Sequence, residues 1–178
     1  MKEIKFSRTI VYFLPFFLWV ALIFHLSSQP YQKQTILPFL RQHFNENAVS
    51  KALPDITIHY HTSVIPAKQK PFQFIEFIFR KCAHLFVYGM FAVTVYIALV
   101  PFRLRLFFGF AASLATVTCI ALLDEWNQKS IQRTSTIEDV AVDVTGGAIC
   151  LIIGIAIYRC FILLNHLRNR QSTDITKQ

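Results

Sequence analysis

Asp124-Glu125-Trp126-Asn127-Gln128-Lys129-Ser130-Ile131-Gln132-Arg133-Thr134-Ser135-Thr136-Ile137-Glu138-Asp139-Val140-Ala141-Val142-Asp143 decides how the chain is read. An apolar run enters this stretch from Phe107 to Leu123, and a second leaves it from Val144 to Tyr158. Five of the ten acidic residues fall inside it. Carboxylates this close to hydrocarbon are energetically unfavourable, and they persist where they pair, line a cavity or serve a site. The stretch therefore reads as the polar junction of two transmembrane helices and as the candidate site.

Working outward, the same segmentation repeats. The chain has 178 residues, 54% hydrophobic, with 18 Phe and a mean hydropathy of +0.44. A soluble domain is ~45–50% apolar, so the long apolar runs carry the membrane reading rather than the total. Helices are expected at about 9–26, 72–100, 106–125 and 136–160, each near the ~17–25 residues that span a bilayer. The fold class is all-α: a four-transmembrane-helix bundle with a small extracytoplasmic cap at 27–71, between the first two helices. Residues 1–167 form the membrane domain, and 168–178 form a polar cytoplasmic tail. Ser27-Ser28-Gln29-Pro30 ends the first helix, because Pro cannot continue it. In the cap, Ile36, Leu37, Leu40 and Phe44 recur at helical spacing within Tyr31–Leu53, and Asp55 to His61 alternates as a short strand does.

The net charge of +8 does not read as a nucleic-acid surface, since Lys and Arg flank apolar runs instead of forming a stripe. Attraction to anionic lipid accounts for it. Nine Lys and Arg are dense in the head, the 101–105 turn and the tail, and nine are spread over the longer segments of the other side. Density places both termini in the cytoplasm and the acidic stretch outside. Cys82, Cys119, Cys150 and Cys160 form no disulfide framework and no metal-binding pattern, and read as small core residues. No cofactor motif or metal-ligand spacing is present.

On the fourth helix, Ser135 and Glu138 are spaced as a capping box. Asp139 falls in the first turn and Asp143 one turn deeper on the same face. Asp139 suits the helix dipole in any case; Asp143, within the apolar run, requires a partner. Asp124 and Gln128 share a face at the end of the third helix, where acids oppose the dipole, so Asp124 or Glu125 is expected to approach Asp143 across helices. Lys81, His84 and Tyr88 form one stripe on the second helix, beside Arg80. Arg133, in the link, either folds back onto the carboxylates or grips an anionic group. His84, Glu125 and Asp143 are the candidate acid/base groups. Arg80, Lys81, Tyr88, Asp124, Gln128, Arg133 and Asp139 are candidate ligand-binding residues. A salt-bridge network that only locks the helices is the structural alternative.

These residues, in this order, resemble the VanZ-like family of membrane proteins. The carriers are Ser27-Ser28-Gln29-Pro30; Arg80-Lys81-x-x-His84-x-x-x-Tyr88-Gly89; and Asp124-Glu125-x-x-Gln128 followed by Arg133, Asp139, Asp143 and Gly146. The chain departs from the family where His-Gln and a Pro-Gly-Arg turn are common, reading Asn127-Gln128 and Ile131-Gln132-Arg133 instead. The resemblance implies a bacterial integral membrane protein. The family's name-giving member is associated with low-level resistance to teicoplanin. For this chain the expected partners are membrane lipid and a lipid-linked envelope precursor or glycopeptide; the enzymatic alternative is a membrane hydrolase or transferase.

Overall fold

Apolar runs in hydrocarbon must satisfy their backbone hydrogen bonds internally, and this chain does so as helices. The computed structural model describes residues 3–60, 63–130 and 136–175. In order, the elements are α1 (Glu3–Ser27), α2 (Tyr31–Gln34), α3 (Leu37–His43), α4 (Glu46–Ala52), β1 (Thr57–Tyr60), β2 (Ser63–Pro66), α5 (Pro71–Leu99), a short 3-10 turn (Val100–Phe102), α6 (Leu106–Ser130) and α7 (Ile137–Ile175). Among the described residues, three segments are long and apolar enough to cross a membrane: Pro71–Phe102, Leu106–Gln128 and Ile137–Asn165. A fourth candidate is Val11–Ser27 with Tyr31–His43, a pair bent by 110°. The all-α membrane bundle expected from the apolar runs is what forms.

The ends of α1 and α5 show why the chain turns where it does. Pro30 stands at φ −65° and ψ 149°, in extended backbone. The Gln34 side chain then reaches back and donates to the Leu26 carbonyl at 2.5 Å, satisfying an end that the helix leaves open. At α5, Pro71 occupies the first turn, where a missing N–H has no helical partner to lose. α6 and α7 run on to Ser130 and Ile175, past the 125 and 160 expected from hydropathy. No Gly or Pro interrupts either extension, so helical hydrogen bonding continues beyond the apolar stretch and takes in most of the polar tail.

The single amphipathic helix anticipated in the cap resolves into α2, α3 and α4. Asn45 caps α4, its side chain accepting from the Asn47 and Ala48 N–H groups. β1 and β2 pair antiparallel with Ile58 opposite Ile65, and the Ser50 hydroxyl donates to the Lys68 carbonyl at 2.6 Å. This ties the hairpin to α4.

The most extensive helix pairing in the bundle is α5 against α7. The partners ascend together: Lys81 with Asp139, His84 with Asp143, Leu85 with Gly146, Gly89 with Cys150 and Val93 with Gly154. α5 and α7 therefore run parallel in direct contact, and α6 returns antiparallel, packed against both. Tyr88, Phe91, Ala92, Val95, Val117, Ala121, Val140 and Leu151 form the buried core with Ile23 of α1. The Trp19 indole N–H donates to the Val87 carbonyl at 2.9 Å and pins α1 to α5. Three cysteines do not behave as core residues: Cys82, Cys119 and Cys160 are exposed, where hydrocarbon rather than protein surrounds an apolar side chain, while half-buried Cys150 packs against Gly89 between α5 and α7.

Gly146 sets the depth of this contact. A Cβ there would lie 2.8 Å from the Leu85 Cα and closer still to the Leu85 carbonyl oxygen, which is backbone and cannot rotate away. At Gly154 the nearest atom is Val93 Cγ2, at an ordinary 3.8 Å. Gly146→Ala is therefore expected to destabilise the protein by about 1–3 kcal/mol through overpacking, read as a lower thermal midpoint in detergent. Gly154→Ala should leave that midpoint unchanged.

Candidate functional site

The polar residues of α5, α6, α7 and the cap meet at one end of the bundle. Asp143 is 0% exposed, and its Oδ1 lies 3.0 Å from His84 Nδ1. Opposite an ionised carboxylate, the neutral form of the ring keeps its proton on Nδ1 and its lone pair on Nε2. His84 is partly exposed and lines both cavities described below. One turn above, the Lys81 ammonium is paired with Asp139 Oδ1. The same oxygen accepts the Tyr60 hydroxyl at 2.5 Å, and the Lys81 ammonium stands 4.1 Å from the Tyr60 ring centre. Burial, then the bond to Asp139, holds the Tyr60 phenol above the ordinary phenol range.

α6 supplies the third wall. Asp124, Glu125 and Gln128 are all buried. The Gln128 amide donates to Asp124 Oδ2 at 2.8 Å, as their shared face requires. Tyr88 is buried one turn beyond His84, its ring stacked on the His84 ring with centroids 6.2 Å apart, and it lines the first of the cavities below. The expected Glu125–Asp143 approach takes another form: Glu125 Oε2 accepts the Thr136 N–H at 3.0 Å, at the entry to α7. A carboxylate at a helix N-terminus is stabilised by the dipole there. Glu125 lines neither cavity and closes the α6–α7 junction instead. Arg133 and the Ser135 of the capping box lie outside the described residues.

Three contributors had no place in the sequence reading. Glu76 is the sole acid in the apolar part of α5, and it is buried. Its Oε2 accepts the Tyr31 hydroxyl at 2.9 Å, and its Oε1 lies 3.9 Å from Arg80. The Arg80 guanidinium also lies over the Tyr31 ring, at 4.8 Å. Glu76 was legible in principle, as an acid four residues before Arg80 inside an apolar run. Tyr31 and Tyr60 carry no such signal, because only the folded cap brings them to α5 and α7.

Two cavities open here. The first, about 320 Å³, has apolar walls from Ile23, Leu26, Phe79 and Val87 and a polar end at Glu76, Arg80, His84, Asp124 and Gln128. The second, about 450 Å³, is lined by Lys70, Lys81, Tyr60, Tyr31 and Asp139 among others. Glu76, Arg80, His84 and Gln128 line both. Of the residues singled out from sequence, the structure brings Arg80, Lys81, His84, Tyr88, Asp124, Gln128, Asp139 and Asp143 into this one region. Among the described residues, no set of three or more His, Cys, Asp or Glu is placed to hold a metal ion.

A family model described as VanZ/LLP1 matches residues 12–163. No curated protein and no solved structure matches the chain.

Lys81 and Asp139 are largely withdrawn from solvent, at 16% and 15% side-chain exposure. Lys81→Met should strand a carboxylate and cost about 3 kcal/mol, seen as a lower thermal midpoint. The exchanged pair Lys81→Asp with Asp139→Lys should recover part of the loss. The Tyr60 phenol adds a pH dependence. Above the ordinary phenol range the unfolded chain has released that proton while the folded chain keeps it, so stability falls as pH rises. Tyr60→Phe should flatten that alkaline fall in the thermal midpoint.

Proposed function

The chain belongs to the VanZ/LLP1 family of multi-pass membrane proteins, and from that premise we propose that it binds a lipid-linked anionic component of the cell envelope, or a lipidated glycopeptide such as teicoplanin. The observation that carries this reading is the pair of adjoining cavities, one walled by apolar side chains and one polar, with four residues common to both. A ligand with an apolar tail and a charged head has the matching division. Its tail would lie between α1 and α5, against Ile23, Leu26 and Val87. Its head would meet Arg80, the more open of the two neighbouring cations, with Lys81 already held by Asp139. His84 and Gln128 would orient the head by hydrogen bonding. In this reading the termini are cytoplasmic and the cavities face outward, as the density of Lys and Arg in short segments favours. Low-level glycopeptide resistance would follow if the bound molecule were the drug or its envelope target.

A second reading rests on the His84–Asp143 contact. A histidine whose Nδ1 meets a fully buried carboxylate, and whose ring borders a cavity, has the arrangement of a general base. Asp143 would act through His84 as a positioning residue, with buried Glu125 on the neighbouring helix as the further carboxylate of this reading. The same site would then hydrolyse or transfer a group on the bound lipid.

Titration of the purified protein with polyprenyl phosphate and with teicoplanin tests the binding reading. Arg80→Gln and His84→Ala each remove a charged or hydrogen-bonding contact and should weaken binding about tenfold or more. Ile23→Trp should weaken it by filling the apolar chamber. Wild-type affinity in all three folded variants would refute the site. If His84→Ala binds normally but abolishes turnover of a polyprenyl diphosphate, the enzymatic reading replaces simple binding.

A further inference from the structure

A third cavity lies at the other end of the bundle, where α5, the 102–106 turn, α6 and α7 come together. Its volume is about 590 Å³. Its walls are apolar, from Val93, Ile97, Leu104, Leu151 and Ile155, and at Gly154 on its lining an added Cβ would meet only Val93 Cγ2, at an ordinary 3.8 Å. Two guanidinium groups, Arg103 and Arg159, stand on its lining, and no acidic residue does. Among the described residues neither has a carboxylate partner. This contrasts with the first site, where Lys81 is paired with Asp139 and Arg80 lies near Glu76.

The placement of the two arginines is set by the fold. Arg103 ends the 3-10 turn in a left-handed conformation, φ 51° and ψ 37°, with its N–H bonded to the Val100 carbonyl at 3.1 Å. It follows directly on the Pro71–Phe102 span. Arg159 comes from α7, within the last turns of the Ile137–Asn165 span, and is preceded by Tyr158, 64% exposed. An exposed Tyr beside a cation, at the end of an apolar span, marks the headgroup level of a bilayer.

We propose that this crevice is a binding site for an anionic phospholipid, its phosphate between Arg103 and Arg159 and an acyl chain along Val93, Ile97 and Leu151. Basic pockets between transmembrane helices select anionic headgroups because each cation near the surface adds attraction that a zwitterionic headgroup does not match. Acyl chain and crevice wall are equally apolar, so the crevice supplies shape and the arginines supply the selection. The site is separate from the paired cavities and does not rest on their reading.

Native mass spectrometry of the full chain released from micelles tests this, with dioleoyl phosphatidylglycerol and dioleoyl phosphatidylcholine as probes sharing the same acyl chains. The wild type should retain one phosphatidylglycerol in preference to phosphatidylcholine, by roughly fivefold for each arginine. Added salt should reduce that preference in the wild type itself, which requires no variant to fold. Arg103→Gln with Arg159→Gln should bring the two lipids to near-equal retention. Gly154→Phe, which fills the crevice, should lower retention of both. Equal retention of the two lipids by the wild type overturns the proposal. So does a phosphatidylglycerol lost in Arg80→Gln but kept in the double arginine variant, which would place it in the other cavities.

Discussion

A carboxylate with no exposed surface, in a helix surrounded by apolar residues, must be answered by another group at its own depth, and Asp143 is that carboxylate. The answer is His84, and it dictates much of the bundle. His84 can reach Asp143 only if α5 and α7 run side by side in register, which they do from Lys81–Asp139 to Val93–Gly154. They can approach closely enough only where one helix lacks a side chain, and Gly146 meets Leu85 one turn beyond Asp143. α6 then brings Asp124 to the same end of the bundle, where the Gln128 amide donates to it and Tyr88 lines the same cavity. Burying several polar groups in a low dielectric raises the cost of leaving any one unmatched, so these helices constrain one another more tightly than apolar packing alone would.

The cations divide into two classes by their surroundings. Lys81 is closed: its partner Asp139 is fixed by Tyr60 from the cap, and its ammonium rests against two aromatic rings. Arg80 is more open, with 38% side-chain exposure and a looser approach to Glu76. A closely held cation and a more open one therefore sit on consecutive residues of one helix, pointing about 100 degrees apart. The cap completes this division, since Tyr31 bonds Glu76 and Tyr60 bonds Asp139. The cap is thus part of the polar end of the bundle.

Much of this architecture is legible in the sequence for a physical reason. Helices in hydrocarbon are specified by length and hydropathy, which one chain displays directly. The Lys81–His84–Tyr88 stripe and the Asp139–Asp143 face follow from 3.6 residues per turn. What stays hidden depends on tertiary contact. Tyr31 and Tyr60 come from a cap whose short helices are individually too brief to declare themselves. The bond from the Thr136 N–H to Glu125 at the entry to α7 is likewise a tertiary contact that sequence spacing does not announce. Three of the four cysteines that read as core residues, Cys82, Cys119 and Cys160, lie outward, because in a membrane apolar character does not distinguish inside from outside.

The length of α7 carries a mechanical consequence. Its 39 residues, at 1.5 Å each, make a rod of about 58 Å, nearly twice the ~30 Å hydrocarbon layer. One continuous helix thus holds Asp143 near its start and reaches well past the far ends of its neighbours. With no proline or glycine beyond Gly154 to absorb bending, a sideways push on the distal segment would reach the packed part of the helix, above Gly154, as tilt. Such a lever would translate a force applied on one side of the membrane into a displacement of a charged group near the other.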